Sequence, residues 1–304
     1  MPERRQTHLG TGIRLCEKGN LVAVRARTST TVCWAMLWIA ACSVTVLGCA
    51  STPAQDSTEA TTPMDPIEQQ IRMIEADPYN PESHYRLGNL YFDARQYRMA
   101  LSSYDQAIAI KPDFAAAHCN RGLSLRNLGK NAEAIAAYKR ALEIEPQDPI
   151  TLSNLVAALR SVGDFEGALH YSLDLIKSTP EDRAALLDLA ELLTHMNRHD
   201  DAAEVYQALI KLEPGQATLY ARLGQCYFDM RDYDRSTTAW LTAIAYDPSN
   251  AEARRMLPQA YYRRGDFDKA WEAVTECQTR SISLDPDFIE ALQKASRRVG
   301  PSHQ

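Results

Sequence analysis

Residues 81–114 read PESHYRLGNLYFDARQYRMALSSYDQAIAIKPDF, and the outline of this stretch recurs along most of the chain. Its second proline, Pro112, belongs to a column of six prolines spaced 34 residues apart: Pro78, Pro112, Pro146, Pro180, Pro214 and Pro248. A strict period of this length indicates an array of similar structural units. The chain therefore divides into blocks at residues 81–114, 115–148, 149–182, 183–216, 217–250 and 251–286.

Three further columns keep the same register. Counted back from the prolines at 112 to 248, and from the equivalent position 282 of the last block, the positions twelve, eight and twenty-four residues earlier mostly hold a small residue, an aromatic residue and a glycine or other small residue. The first column is Ala100, Ala134, Ala168, Ala202, Ser236 and Ala270, the second is Tyr104, Tyr138, Ser172, Tyr206, Trp240 and Val274, and the third is Gly88, Gly122, Val156, Ala190, Gly224 and Pro258. Small residues let helices approach closely, and aromatic rings fill the spaces between neighbouring helices.

Each block predicts two helices. Within a block the apolar residues recur at helical spacing, as Tyr104, Ala107 and Ile108 do in the first block. The predicted break between the helices falls at Arg95, Gly129, Gly163, Asn197, Arg231 and Gly265. Four of these six are Gly or Asn, which best tolerate a left-handed helix end. The last block closes four residues late, at Pro286, which predicts one extra turn in its second helix.

This pattern resembles the tetratricopeptide repeat (TPR). In the first block the family's signature positions hold His84, Leu87, Gly88, Tyr91, Ala100, Tyr104, Ala107 and Pro112. The resemblance implies an all-α fold, a right-handed superhelix (α-solenoid) of six helix-turn-helix repeats. No single block could bury its own apolar face, so the blocks must stack. Capping helices are expected at 65–77 and 287–299, which gives an array over residues 65–300.

The segment before the array predicts a secretory signal over residues 1–48. Arg25 and Arg27 precede an uncharged stretch whose apolar core, residues 34–47, is short for a membrane span. The stretch ends in Val46-Leu47-Gly48-Cys49, which resembles the lipobox of bacterial lipoproteins. The resemblance implies cleavage before Cys49 and lipidation of that residue. Residues 49–64 are then expected to form a flexible tether, and the long charged region at 1–23 suggests a start-site error.

Two alternatives to lipidation at Cys49 remain open. Residues 39–42, Ile-Ala-Ala-Cys, also fit a lipobox and make Cys42 the second choice, although an apolar stub would then follow the lipid. An uncleaved signal anchor over about residues 31–48 is the other alternative. All three interpretations place the array outside the cytoplasm, attached to a bacterial envelope membrane.

Charge and cysteine content exclude two classes of function. Residues 1–49 hold six of the 33 basic and two of the 39 acidic residues, which leaves 27 basic and 37 acidic residues and a net charge of −10. Nucleic-acid binding needs clustered Lys and Arg, so no nucleic-acid partner is expected. Cys119, Cys226 and Cys277 lie far apart without a Cys-x-x-Cys pair, so we expect packing residues rather than a metal site.

No motif for catalysis or cofactor binding occurs in the array, so we expect neither an enzyme nor a cofactor. Phosphate-binding glycine loops, Gly-x-Ser-x-Gly and His-Glu-x-x-His are all missing from the sequence. His195 and His199 have a spacing that could hold a metal on one helix. Asn197 lies between them at a predicted turn, so the two rings are not expected to share a face.

By resemblance, TPR proteins bind peptides in a concave groove lined by the first helix of each block. Carried over, the groove candidates are Tyr85, Asn89, Asn120, Arg126, Asn154 and Arg160. Asparagine amides both donate and accept, which suits an extended peptide backbone. Arg126 and Arg160 recur one block apart and could form a basic rung for an acidic partner.

The favoured function is a non-enzymatic scaffold at the envelope that binds a protein or peptide in this groove. One alternative is an accessory lipoprotein for the assembly of a pilus or secretion complex. An alternative of another class is an envelope protein that binds or processes glycans.

Overall fold

The structure, a computed structural model, describes residues 65–296, which form fourteen α-helices and no strand. This confirms the all-α prediction. Residues 1–64 and 297–304, and with them Cys42, Cys49, the signal, the tether and the end of the predicted last helix, lie outside the described part. None of the helices in 65–296 combines the length and apolar character needed to cross a membrane.

The helices follow one another in antiparallel pairs joined by short connections. Their bounds are α1 Pro66–Ala76, α2 Pro81–Asp93, α3 Tyr97–Ile110, α4 Ala115–Asn127, α5 Asn131–Ile144, α6 Pro149–Ser161, α7 Phe165–Ser178, α8 Arg183–His195, α9 His199–Leu212, α10 Ala217–Asp229, α11 Tyr233–Tyr246, α12 Ala251–Arg264, α13 Phe267–Thr279 and α14 Pro286–Ser296. Each helix packs mainly on its neighbours in sequence, as in a solenoid.

The turn inside each block is a left-handed helix end. All six residues singled out in the sequence have positive φ, from 58° at Asn197 to 84° at Gly265. The next residue then donates its backbone N–H back across the turn, as Gln96 does to the Tyr91 carbonyl at 2.8 Å and Lys130 to the Leu125 carbonyl at 2.9 Å. This six-to-one bond satisfies a carbonyl that the helix end would leave unpaired.

Within a block, the two helices meet where an aromatic ring covers a glycine. A Cβ added to Gly88 would lie 2.5 Å from the Tyr104 ring, and one added to Gly122 would lie 2.7 Å from the Tyr138 ring. Gly224 has the same relation to a tryptophan, at 2.6 Å. The rings are almost wholly buried. These glycines have ordinary helical backbone angles, so the backbone conformation does not require them. They are needed because the two helices approach closely there.

Two of the three blocks without a glycine change the second residue of the pair as well, whereas the fourth block keeps Ala190 against the ring of Tyr206, both buried. The third block has Val156 with Ser172, and the sixth has Pro258 with Val274; all four are buried. A larger residue on the first helix thus goes with a smaller residue on the second. The pair conserves total volume, which close-packed interiors require.

Between blocks, a side chain at the fourth position of the first helix binds the carbonyl of the preceding proline. His84 Nε2 lies 2.9 Å from the Pro78 oxygen, and the equivalent pairs are His118 with Pro112 at 3.0 Å, Tyr220 with Pro214 at 3.1 Å and Arg254 with Pro248 at 2.9 Å. We call this contact the junction bond. The third and fourth blocks carry Leu152 and Leu186 at this position, and leucine has no donor. Their junctions therefore lack this bond.

The end of the array departs from one expectation. The predicted extra turn in the second helix of the last block is wrong, because α13 ends at Thr279 and has 13 residues, against 14 in each of the other second helices. The four added residues lie instead in the connection before α14, where Ser281 has a φ of 57°. α14 closes the core with fully buried Leu292, and the Trp271 indole donates to the Ser296 hydroxyl at 3.0 Å.

The close approach predicts the effect of a single methyl group. Gly122→Ala should lower the free energy of unfolding by about 2 kcal/mol, since overpacking costs up to about 3 kcal/mol and the better helix propensity of alanine returns about 1 kcal/mol. The matched control is Gly215→Ala, because nothing lies within 4 Å of a Cβ added there. Urea unfolding followed by circular dichroism compares the two. Equal midpoints would contradict the proposed packing role.

The left-handed turns predict two substitutions of opposite sign. Arg95 has a φ of 59° and Gly163 a φ of 78°, and nothing lies within 4 Å of a Cβ added to Gly163. Arg95→Gly should raise the free energy of unfolding by about 0.5 kcal/mol, because the left-handed penalty of about 1 kcal/mol slightly exceeds the entropy cost of glycine. Gly163→Arg should lower it by about 1 kcal/mol. A shift of the same sign in both thermal unfolding midpoints would show that backbone strain is not the cause.

Candidate functional site

First helices of neighbouring blocks contact one another in both halves of the array. α2 contacts α4, α4 contacts α6, and α10 contacts α12, in addition to the contacts that each makes with the second helices. All six groove candidates lie on the first three of these helices and are partly exposed: Tyr85 and Asn89 on α2, Asn120 and Arg126 on α4, and Asn154 and Arg160 on α6.

Asn120 joins α4 to α2 through its amide nitrogen. Asn120 Nδ2 donates to the Tyr85 hydroxyl at 3.1 Å and to Asn89 Oδ1 at 2.9 Å. The Tyr104 hydroxyl of α3 donates to the same Asn89 oxygen at 2.8 Å. Burial raises the pKa of Tyr104 well above its ordinary value, so this hydroxyl stays protonated and remains a donor. The network fixes the orientation of both amides.

The same network leaves one half of each amide unused. Among the described residues, neither Asn89 Nδ2 nor Asn120 Oδ1 has a hydrogen-bond partner, and both side chains are partly exposed. The surface of α2 and α4 therefore presents an oriented N–H donor and an oriented carbonyl acceptor next to one another. An extended peptide backbone presents the same two groups.

Tyr85 is held by aromatic neighbours as well as by Asn120. Its ring centroid lies 5.0 Å from that of Phe114, in the connection before α4, and 5.9 Å from that of Tyr104. Both distances are within the range of favourable aromatic pairs. Tyr85 thus acts as a support for the amide network and forms part of its apolar border.

Asn154 lies near Cys119 of the preceding block. Burial raises the pKa of the Cys119 thiol, and hydrogen bonds from Thr151 and Asn154 act in the opposite direction. Asn154 of α6 is thus a neighbour of the thiol on α4. The cysteine, expected as a packing residue, is buried.

The two arginines of the predicted basic rung have different surroundings. Arg160 Nη1 lies 3.7 Å from the Asp188 carboxylate on α8, so an acidic residue of the chain itself already faces it. Arg126 lies near Tyr138 instead: burial raises the pKa of that tyrosine to about 12, and the charge of Arg126 opposes the rise. Within residues 65–296, Arg126 forms no ion pair. It is therefore the more available of the two for an acidic partner.

The two histidines at metal-binding spacing lie on different helices. His195 ends α8 and packs against Phe165 in a tilted arrangement with ring centroids 4.4 Å apart, whereas His199 begins α9 and has its Nδ1 3.8 Å from the Asp229 carboxylate. The left-handed Asn197 turn separates them. Over residues 65–296, His, Cys, Asp and Glu nowhere gather in a group of three that could hold a metal ion.

Two members of the site could not be identified from the sequence. Tyr104 was interpreted only as a packing residue, since its ring covers Gly88, yet its hydroxyl orients Asn89. No motif in the sequence singles out Asp188, yet it lies on the first helix α8 and faces Arg160. In both cases the interaction joins residues far apart in the chain, and only the positions of the helices reveal it.

Comparisons with known proteins agree with this architecture. The family model described as tetratricopeptide repeat matches residues 85–149, 154–217 and 221–278, which together make up more than half of the chain. No curated protein matches the chain. Proteins with this repeat generally act as protein-interaction scaffolds, and no catalytic family is indicated.

Solved structures share the fold at low identity. YrrB, described as a TPR protein with an unusual peptide-binding site, is 20% identical with a TM-score of 0.54, covering 62% of this chain and 96% of its own. A chain of the Naa15/Naa10 complex bound to HypK-THB is 15% identical with a TM-score of 0.60, covering 77% of this chain and 36% of its own. A MamA protein is 17% identical with a TM-score of 0.50, covering 57% and 94%. From its repeat matches and its helical architecture, the chain belongs to the tetratricopeptide repeat family.

Proposed function

We propose that this protein is a non-enzymatic scaffold that binds an extended segment of a partner protein on the surface of α2, α4 and α6. The observation that carries the proposal is the state of the Asn89 and Asn120 side-chain amides. The hydrogen bonds of Asn89 Oδ1 and Asn120 Nδ2 hold both amides in place, so that Asn89 Nδ2 offers one donor and Asn120 Oδ1 one acceptor to a ligand. Groups that are oriented before binding lose little entropy when a ligand arrives.

The neighbourhood of the amides suits a peptide in two further ways. The Tyr85 and Phe114 rings supply an apolar border, and aromatic residues are enriched at protein interfaces. Arg126, without an ion pair among residues 65–296, supplies a charge for an acidic group of the ligand. The peptide-binding site named for YrrB is consistent with this use of the fold, although the identity of 20% supports the fold alone.

We also propose that the scaffold is tethered to a bacterial envelope membrane by lipid at Cys49. The support is the sequence Val46-Leu47-Gly48-Cys49 at the end of an apolar segment, followed by small and polar residues that suit a tether. Two or more acyl chains give stable membrane attachment, whereas one gives only marginal binding. A tethered array would hold its groove outside the cytoplasm and near the membrane surface.

The groove proposal predicts the effect of replacing only the free half of one amide. Asn89→Asp keeps the oxygen that accepts from Tyr104 and Asn120 but removes the free Nδ2 donor. The measurement is chemical crosslinking in membranes, followed by capture of the full chain and of any crosslinked partner. Wild type should recover a partner, and the variant should recover at least about tenfold less of it, because loss of a central polar contact costs more than about 1.4 kcal/mol of binding free energy.

The control is Asn131→Asp, which makes the same charge change on the first residue of α5, outside the groove. Its capture should equal that of wild type, and thermal unfolding should show both variants folded. Undiminished capture by Asn89→Asp would contradict the groove proposal, and capture of no protein by wild type would contradict the scaffold proposal itself.

The tether proposal predicts which cysteine is needed for membrane attachment. Cys49→Ala should abolish incorporation of labelled fatty acid and release the protein from the membrane fraction, whereas Cys42→Ala should leave both unchanged. Loss with Cys42→Ala alone would move the lipid to Cys42. Attachment that survives both substitutions without any label would contradict lipidation and favour the signal anchor.

A further inference from the structure

A depression lies between α6 and α8, on the surface formed by the first helices. Ile150 and Asn154 line it from α6, Leu175 from α7, Ala185 and Asp188 from α8, and Asp182 from the connection before α8. We call it the α6–α8 cleft. Leu175 and Ala185 are buried and form its apolar base. Among these residues Asn154 is the one groove candidate, and it lies on α6, next to α4, which carries Asn120.

The cleft opens at a junction that lacks the junction bond. Leu186 of α8 replaces the donor that in four other blocks binds the preceding prolyl carbonyl, here that of Pro180. Leu152 of α6 makes the same replacement one block earlier. α6 and α8 are therefore the two of the six first helices that lack this bond to the block before them.

One rim of the cleft is an exposed apolar side chain. Ile150 is 68% exposed, although it occupies the second position of its block, which by family resemblance faces the groove. Burying an aliphatic side chain of this size stabilises a complex by about 1.5–3 kcal/mol. A large apolar side chain that enters the cleft would cover Ile150 and contact the base formed by Leu175 and Ala185.

The charged groups that line the cleft are acidic. Asp182 is engaged as the cap of α8, since its carboxylate accepts from the backbone nitrogens of Ala184 at 2.9 Å and Ala185 at 3.3 Å. Asp188 is paired with Arg160 at 3.7 Å, its one ion-pair partner in residues 65–296, and its side chain is 59% exposed, so the carboxylate can accept a second cation. Among residues 65–296, no Lys or Arg lines the cleft. With a net charge of −10 after residue 49, the protein offers a favourable field to a cation.

We propose that the α6–α8 cleft receives a large apolar side chain of the bound segment, with a Lys or Arg close by that pairs with Asp188. This inference rests on the proposed function and names the chemistry of the segment that binds. Neighbouring helices lie about 8–10 Å apart, and an extended chain advances about 3.3 Å per residue. About five residues therefore separate the backbone held by Asn89 and Asn120 from the side chain in the cleft.

The test is selection of a displayed library of random twelve-residue peptides on the purified full chain in detergent. Selected peptides should share a large apolar residue with Lys or Arg within two positions of it. Their affinities, measured by fluorescence anisotropy, should fall about tenfold in Ile150→Ser and about tenfold in Asp188→Asn, which corresponds to 1.4 kcal/mol for each contact.

Two variants on second helices serve as matched controls. Leu241→Ser removes an apolar side chain that is 47% exposed on α11, and Asp200→Asn removes an exposed carboxylate on α9. Neither should change the affinities by more than twofold. Circular dichroism of all four variants should match wild type, so that a loss of affinity reports binding rather than unfolding.

The outcomes separate this inference from the groove proposal. Peptides that lose affinity in Asn89→Asp but not in Ile150→Ser or Asp188→Asn would overturn the cleft and leave the groove in place. Selected peptides indifferent to all three variants would overturn both. Selected peptides with acidic residues beside the apolar one, or no selected peptides at all, would overturn the cleft as a site for an apolar and basic segment.

Discussion

The array depends on the close approach of the two helices within each block. In three blocks a ring lies so near a glycine that a single added carbon would stand 2.5–2.7 Å from it. Where valine or proline replaces the glycine, at Val156 and Pro258, the opposite residue is smaller, and the fourth block packs Ala190 against Tyr206. Because each repeat can bury its apolar faces only against its neighbours, an error in this distance would pass into the next interface. The volume of one residue pair per block therefore sets the geometry of the whole solenoid.

The same geometry places the functional groups. A first helix uses one face for packing, where Leu87 and Gly88 are buried, and leaves the other face partly exposed, where Tyr85 and Asn89 lie. The ring that covers Gly88 also carries the hydroxyl that orients the Asn89 amide. Packing and recognition are thus linked through Tyr104, which explains how a small polar group on a helix surface acquires a fixed direction.

Much of the fold could be predicted from periodicity, and much less of the site. The 34-residue register predicted the helices and the turns, including Arg95 and Arg231, whose type alone does not favour a left-handed turn. It failed at the last block, since an insertion of four residues suits a helical turn and a longer connection equally well. The contacts of Asn120 and Arg160 join residues of different blocks. The family pattern marks such positions as surface, but only the relative placement of the helices shows which side chains meet.

The junction bond has a mechanical consequence for the array. It is present at both ends and missing at two consecutive interfaces, before α6 and before α8. An elastic rod made of such units does not bend uniformly, because deformation concentrates where the coupling between neighbours is weakest. The first two blocks and the last three would then behave as stiff arms, with the third block as a compliant joint between them. Such a joint would let the curvature of the inner surface adjust to ligands of different width. The packing within each arm would stay the same.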